Sequence, residues 1–303
     1  MLAVISTRPS DDPRTVVWID LFSPTPEEIE RATSITGLRV PTQEQVSEIE
    51  STSRLAFDKG AYYLSTPLVA LQPSGEHVLV PAGFVLSGKH LLTVRFAPIP
   101  SIEGVLSQPV PDAEGAFLKI LEVIVDRSAD ALERAGADSD AISREAFRPA
   151  PHKGELRETL RRVGALADRT SRIRDALLGL GRIVEYVRDG SIEGAPKLNA
   201  PRVKAIRTDL ASLTEYQSHL SGKIQFLLDA TLGFINVEQN DIVKTLTIAS
   251  VVGIPPVLLA GIWGMNFKVM PELGWRFGYP TALVAIVVSG VLPYLWFKRR
   301  GWT

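Results

Sequence analysis

Residues 245–267 read TLTIASVVGIPPVLLAGIWGMNF, 23 residues without a charge and rich in Leu, Ile and Val. As a straight helix they would be about 35 Å long, enough to cross a bilayer core of about 30 Å. A short polar loop follows, from Lys268 to Arg276. Residues 278–297, GYPTALVAIVVSGVLPYLWF, form a second uncharged run of 20, again long enough to span. The chain then closes on Lys298-Arg299-Arg300-Gly301-Trp302-Thr303. The C-terminal part therefore reads as a pair of transmembrane helices, and everything before it as charged and water-facing. A mean hydropathy of +0.11 averages over that split.

Composition narrows the function classes. With 33 basic and 34 acidic residues the net charge is −1, which argues against bulk nucleic-acid binding. The absence of cysteine excludes a disulfide framework and a thiolate metal site. Arg8, Asp11, Asp12 and Arg14 interrupt the first residues, so no cleavable signal peptide is expected. Lys244 precedes the first span and Lys298, Arg299 and Arg300 follow the second, and the positive-inside bias places both termini in the cytoplasm. No acid–base or nucleophilic constellation stands out, and no glycine loop for phosphate is present. That argues against an enzyme and against ATP-driven pumping.

Before the spans, the chain reads as an α+β region followed by helices. Residues 16–21 are strand-like. Thr25 with Pro26 behind it and acids in the first turn opens a helix through Ala32. Thr42 with Gln45 is a capping-box pattern for a helix to about Thr52. Residues 61–71 are β-branched and aromatic, and 84–86 with 91–96 read as a hairpin around a glycine turn. Residues 113–135 carry a helical stripe at 117, 121, 124 and 125. A second helical region spans 138–188, with a break near Pro149-Ala150-Pro151. From about Pro201, the positions Ile206, Leu210, Leu213, Leu220, Ile224, Leu227, Phe234 and Val237 keep near-heptad spacing. One continuous helix from there into the first span would be about 90 Å long, a stalk. The expected divisions are an α/β domain at 1–110, a helical region with the stalk at 111–243, and a two-helix transmembrane domain at 244–303. His77, His90, His152 and His219 lack ligand spacing, and the basic run 157–174 reads as a solvated helix face.

Several short motifs recur in one order. Gly264-Met265-Asn266 ends the proline-bearing span, Met270-Pro271-Glu272-Leu273 fills the loop, and Gly278-Tyr279-Pro280 opens the last helix. Phe297-Lys298-Arg299-Arg300-Gly301-Trp302 ends it. Together with Trp18-Ile19-Asp20-Leu21, residues 24–28 and residues 41–55, this set resembles the CorA family of divalent-cation channels over nearly the whole chain.

The resemblance implies a funnel-shaped homo-pentamer in the bacterial inner membrane, conducting Mg²⁺ under the membrane potential and gated by cytoplasmic Mg²⁺. It implies a selectivity filter at Gly264, Met265 and Asn266, where a ring of neutral amide oxygens meets the waters around an ion that dehydrates reluctantly. Glu272 becomes an outer acidic ring. Lys268 and Arg276 flank it, however, and Lys268 stands where the family pattern leads one to expect an acid. By register, Asn240, Leu246, Ile254 and Val257 face the pore. Leu246 and Ile254 are then apolar rings that close by dewetting, and Val257 supplies no ligand. Lys298, Arg299 and Arg300 become either interface anchors or a basic collar at the cytoplasmic mouth. Ala205 occupies an expected acidic regulatory position, and Asp209, one turn on, is the substitute. Pro255-Pro256 reads as a packing kink, or as a hinge or pore-facing site. Two alternatives stay open: a transporter of Zn²⁺, Co²⁺ or Ni²⁺ resembling ZntB, with or without coupling to protons, and a membrane scaffold without transport.

Overall fold

The computed structural model describes residues 2–6, 16–48, 54–71, 77–148, 155–188, 192–265 and 270–302. The chain divides into two compact units, Met1–Leu228 and Asp229–Thr303.

In the first unit, six strands among the described residues form one sheet. They are β1 (Leu2–Ser6), β2 (Val16–Phe22), β3 (Leu55–Asp58), β4 (Ala61–Leu71), β5 (His77–Ser87) and β6 (Leu91–Arg95), in the order β1-β2-β6-β5-β4-β3. All neighbours are antiparallel except β2 and β6, which run parallel with Trp18 opposite Leu91. The capping signals work as the sequence suggests. Thr25 and Thr42 each close a capping box, and these open α1 (Pro26–Thr36) and α2 (Gln43–Ser47). The first of these helices runs one turn past Ala32 and stops where Gly37 turns left-handed, at φ 70°. The second ends at Ser47, before the expected Thr52; residues 49–53 lie outside the described part.

Strand alternation gives the sheet two apolar faces. Ile19, Leu21, Val85, Leu92 and Val94 point toward α1 and its following loop, where Ala32, Leu38 and Val40 cover them. Trp18, Tyr62, Phe84, Leu86 and Leu91 point the other way, onto the helical layer. That layer consists of α3 (Pro100–Leu106), α4 (Ala113–Ala146), α5 (Glu155–Arg188) and the first part of α6 (Ala200–Trp263). Phe84 meets Phe117 of α4 edge-on, with ring centroids 5.9 Å apart.

One expectation is corrected here. The helices expected at 113–135 and from 138 onward are joined, because α4 runs unbroken through Gly136 to Ala146. A glycine inside a helix costs only about 1 kcal/mol, and Leu132, Ala135, Ser139 and Ile142 bury a continuous stripe that outweighs it. The expected break at 149–151 lies outside the described residues. Ion pairs lace the long helices at their surfaces: Asp138 with Arg169 at 2.8 Å, Glu145 with Arg162, Asp140 with Lys223, and Glu185 with Arg207 at 2.6 Å. Exposed pairs of this kind are worth under about 1 kcal/mol each, so they fix register more than stability. The guanidinium of Arg207, with Arg188 behind it, holds the Glu185 carboxyl below the usual carboxylate range.

The sheet also hides a polar network that the sequence alone did not disclose. Arg95 meets Asp20 at 3.0 Å and Glu103 at 2.8 Å, and Arg95 and Asp20 are both almost fully buried. Thr93 Oγ1 donates to Asp20 at 2.6 Å and accepts from Trp18 Nε1 at 3.0 Å. Every member has a partner, which is the condition for a charge pair to be tolerated in a core.

The second unit contains the remainder of α6, a 3-10 turn at Pro271–Gly274 and α7 (Gly278–Arg299). Both helices are long and apolar enough to cross a membrane. The stalk expectation is met in that α6 is a single 64-residue helix, with Pro255 and Pro256 inside it.

Candidate functional site

Within the second unit, α7 decides which side of α6 is free. The two helices come close at Gly290. A Cβ there would lie 3.2 Å from Pro256 Cγ and 3.5 Å from the Val252 carbonyl oxygen. That carbonyl is one that Pro256, having no N–H, leaves without its helical donor. Ile248, Val252, Pro255, Pro256, Leu259 and Trp263 are half-buried. At about 100° per residue they form one stripe, and α7 packs on it. Among the readings of the proline pair, packing kink, hinge or pore-facing site, this placement supports packing.

The other face of α6 is largely exposed, although Thr247 and Ser250 on it are half-buried. Asn240, Leu246, Ile254 and Val257 fall within an arc of roughly 120°, with Gly261 near its middle, and this arc lies roughly opposite the α7 stripe. Leu246, Ile254 and Val257 are 66%, 61% and 71% exposed, and Asn240 and Gly261 are exposed as well. Among the described residues, α7 does not cover Leu246, Ile254 or Val257, while Trp302 shares a hollow with Asn240.

The C-terminal end of α6 closes at Gly264, whose N–H donates to the Ala260 carbonyl at 3.0 Å. Met265 N–H then reaches the Ile262 carbonyl at 3.3 Å, a tighter last turn. Met265 is 48% exposed. Asn266 and Lys268 lie outside the described residues, as does the side chain of Glu272. Met270 leads into the 3-10 turn that carries Glu272.

Aromatic residues mark both ends of α7. Trp275, Phe277 and Tyr279 are exposed at its start, and Tyr294, Trp296 and Trp302 at its finish. Tyr279 and Trp296 are about 26 Å apart along the helix, the spacing of the two interfaces of a bilayer.

The terminal hexapeptide folds as a helix stop. Gly301 is left-handed at φ 70°. Its N–H donates to the Lys298 carbonyl, and the N–H of Trp302 donates to the Phe297 carbonyl at 3.1 Å. This is the Schellman arrangement, completed by its usual apolar contact: Trp302 stacks on Phe297 at 5.4 Å, and Phe297 is buried. Trp302 also lines a hollow with Val237, Asn240, Asp241, Val243, Lys244 and Thr247 of α6. Arg300 sits 4.4 Å above the Trp296 ring, while Lys298 and Arg299 are exposed. All three cations lie at the negative end of the helix dipole.

On the stalk, Asp209 and Ala205 are exposed. Among the described residues, no three His, Asp or Glu side chains are grouped to hold a metal ion.

These features define a class: an α/β unit continued by one very long helix, whose apolar end pairs with a second apolar helix and leaves one face open. The chain belongs to the CorA family: residues 13–299 match the family model described as CorA-like Mg²⁺ transporter protein. A curated relative, the magnesium transport protein CorA of Salmonella typhimurium, is 31% identical over 295 residues, covering 94% of this chain and 92% of the relative. The complete structure of the CorA magnesium transporter from Methanocaldococcus jannaschii superposes with a TM-score of 0.74 at 19% identity, over 99% of this chain and 95% of that one. The ZntB cytoplasmic domain from Vibrio parahaemolyticus shares the fold of the soluble part, with a TM-score of 0.56 at 10% identity, over 72% of this chain and 87% of that one.

Proposed function

We propose that this chain is a Mg²⁺ channel of the inner membrane that works as a homo-pentamer with both termini in the cytoplasm. The observation that carries the reading is the exposed face of α6, which displays Asn240, Leu246, Ile254 and Val257 opposite the α7 contact. Two spans cannot enclose a path, so that face needs copies of itself around an axis, and membrane lipid surrounds α7. In such a ring, Asn240 offers amides at the inner mouth and Leu246 and Ile254 form the apolar constriction. Gly264, Met265 and Asn266 form the filter at the outer end, with Glu272 in the loop outside it. Lys298, Arg299 and Arg300 form the collar at the cytoplasmic side. The membrane potential drives influx, worth about 4.6 kcal/mol for a divalent ion per 100 mV.

On this reading, residues 1–110 and 111–243 form the cytoplasmic α/β and helical regions, and 244–303 the membrane domain. Internal Mg²⁺ closes the path by offsetting repulsion between acids that face one another across subunit boundaries. Asp209 is the assigned acid, and its partner must come from a neighbouring copy, since its own described chain provides no cluster.

The experiment is ion flux in liposomes containing the full chain, with and without a pH gradient. Potential-driven Mg²⁺ uptake independent of the pH gradient is the expected result. Zn²⁺ uptake that requires the gradient would favour the ZntB-like alternative, for which the basic loop residues Lys268 and Arg276 speak. No ion movement would leave only a scaffold. Orientation is read separately, by reaction of Glu272→Cys with an impermeant thiol reagent added to whole cells.

A further inference from the structure

A small cavity of about 240 Å³ lies on the α2 side of the sheet, far along the chain from the conduction face. Strand register explains why it exists. Ala56 of the edge strand β3 pairs with Tyr63 of β4, and its short side chain leaves room above the sheet. Continuing that register sets Arg54 opposite Ser65. Arg54 Nε donates to the Glu48 carbonyl at 2.5 Å, which aims the guanidinium along the rim. Arg39 enters from the loop before α2, its guanidinium 5.2 Å from the centre of the Tyr63 ring.

The lining is unbalanced in charge. Arg39 and Arg54 both border the cavity, and among the described lining residues only the exposed Glu48 opposes them. Arg182 of α5 lies close enough to act on Arg54. Burial first, and the Arg182 charge second, draw the Arg54 guanidinium below the usual arginine range. Among the described residues none of these three arginines makes an ion pair. The floor carries an unmet hydroxyl: Ser65 is 7% exposed, and its Oγ is buried without a hydrogen-bond partner. An orphan of that kind costs about 1–3 kcal/mol. Gln45 uses its side-chain oxygen to accept from Thr42 N, which leaves its amide N–H groups for the cavity.

Two guanidiniums exclude a cation, and so many unmet donors exclude an apolar guest. We propose that this cavity binds a small tetrahedral oxyanion, the phosphate group, between Arg39, Arg54 and the Ser65 hydroxyl. Arginine's planar fork suits bidentate contact with phosphate oxygens. The volume falls below the roughly 300–1,000 Å³ of sites for drug-sized ligands, so the cavity holds the phosphate and little of any body attached to it. This assignment is independent of the ion path.

The test is thermal unfolding of the full detergent-purified chain, titrated with inorganic phosphate at constant ionic strength, with chloride as reference. A ligand that binds only the folded state raises the midpoint in a saturable way. The expected result is such a rise with phosphate and none with chloride, lost in Arg39→Gln/Arg54→Gln. Ser65→Ala should weaken the phosphate effect while leaving the ligand-free midpoint unchanged or higher, because the orphan is gone. If the double variant does not fold, Arg39→Gln alone, at an exposed position, must shift the titration to higher phosphate. A nucleoside monophosphate that saturates at lower concentration than phosphate identifies a phosphomonoester as the source, and the reverse order identifies the free ion. A midpoint that does not respond to phosphate, or responds equally in the double variant, overturns the site.

Discussion

The two units use apolar side chains in opposite ways. In Met1–Leu228 they are buried: Trp18, Phe84, Phe117, Leu121 and Ile183 are under 2% exposed. There, among the described residues, four large apolar residues are well exposed, namely Phe147, Leu178, Tyr216 and Phe226. In Asp229–Thr303 the relation inverts, and among the described residues Phe297 is the one buried large apolar residue. The first unit is folded against water. The second has a surface that water does not stabilise, and it divides further into a face that α7 covers and a face left largely exposed. The proposed function rests on the exposed face, because a surface uncovered by its own chain requires lipid or another copy.

The comparison can be broken first where the expected effect is largest. Asn266→Ala should abolish or severely reduce divalent-ion flux while leaving assembly intact, since in the proposed filter the amide acts on the ion and not on the fold. Wild-type rates in this variant would remove Asn266 from the filter. In the other unit the corresponding weak point is the buried network. Arg95→Met leaves the Asp20 carboxylate uncompensated in the core and should cost about 3–5 kcal/mol of stability in chemical denaturation. A loss below the error of the measurement would mean that water reaches Asp20.

Gly290→Leu attacks the covered face of α6. The side chain has nowhere to go against Pro256 and the Val252 carbonyl, so about 1–3 kcal/mol of overpacking should appear in the helix pair. Flux should fall as the pair shifts, with the melting of the first unit unchanged. Asp209→Ala is the mildest. It should leave stability alone and raise flux at high internal Mg²⁺. An unchanged Mg²⁺ dependence would place sensing elsewhere.

Local signals in the sequence were reliable because their causes are local. Thr25 and Thr42 cap helices through residues three positions away, and the uncharged runs reveal their medium by length alone. The terminal Phe-Lys-Arg-Arg-Gly-Trp is a helix stop whose bonds lie within six residues. What escaped depends on distant pairing. The parallel contact of β2 and β6 joins residues 73 apart at Trp18 and Leu91, and no turn between them announces it. The Asp20–Arg95 pair follows from that contact and was equally hidden. So was the meeting of Arg39, Arg54 and Ser65, which needs the β3–β4 register and the loop before α2. Gly136 misled in the opposite direction: a weak local breaker was outweighed by the stripe that α4 buries. The exposed face of α6 was assigned from family register, and the Gly290 contact supplies an independent physical reason for it.

The central claim is that the face of α6 turned away from α7 lines the ion path. Because the chain has no cysteine, Ile254→Cys and Val252→Cys can be compared cleanly in liposomes before and after a small charged methanethiosulfonate reagent. The account predicts that the reagent blocks Mg²⁺ flux through Ile254→Cys and leaves Val252→Cys unaffected. Block at Val252→Cys with none at Ile254→Cys would contradict it.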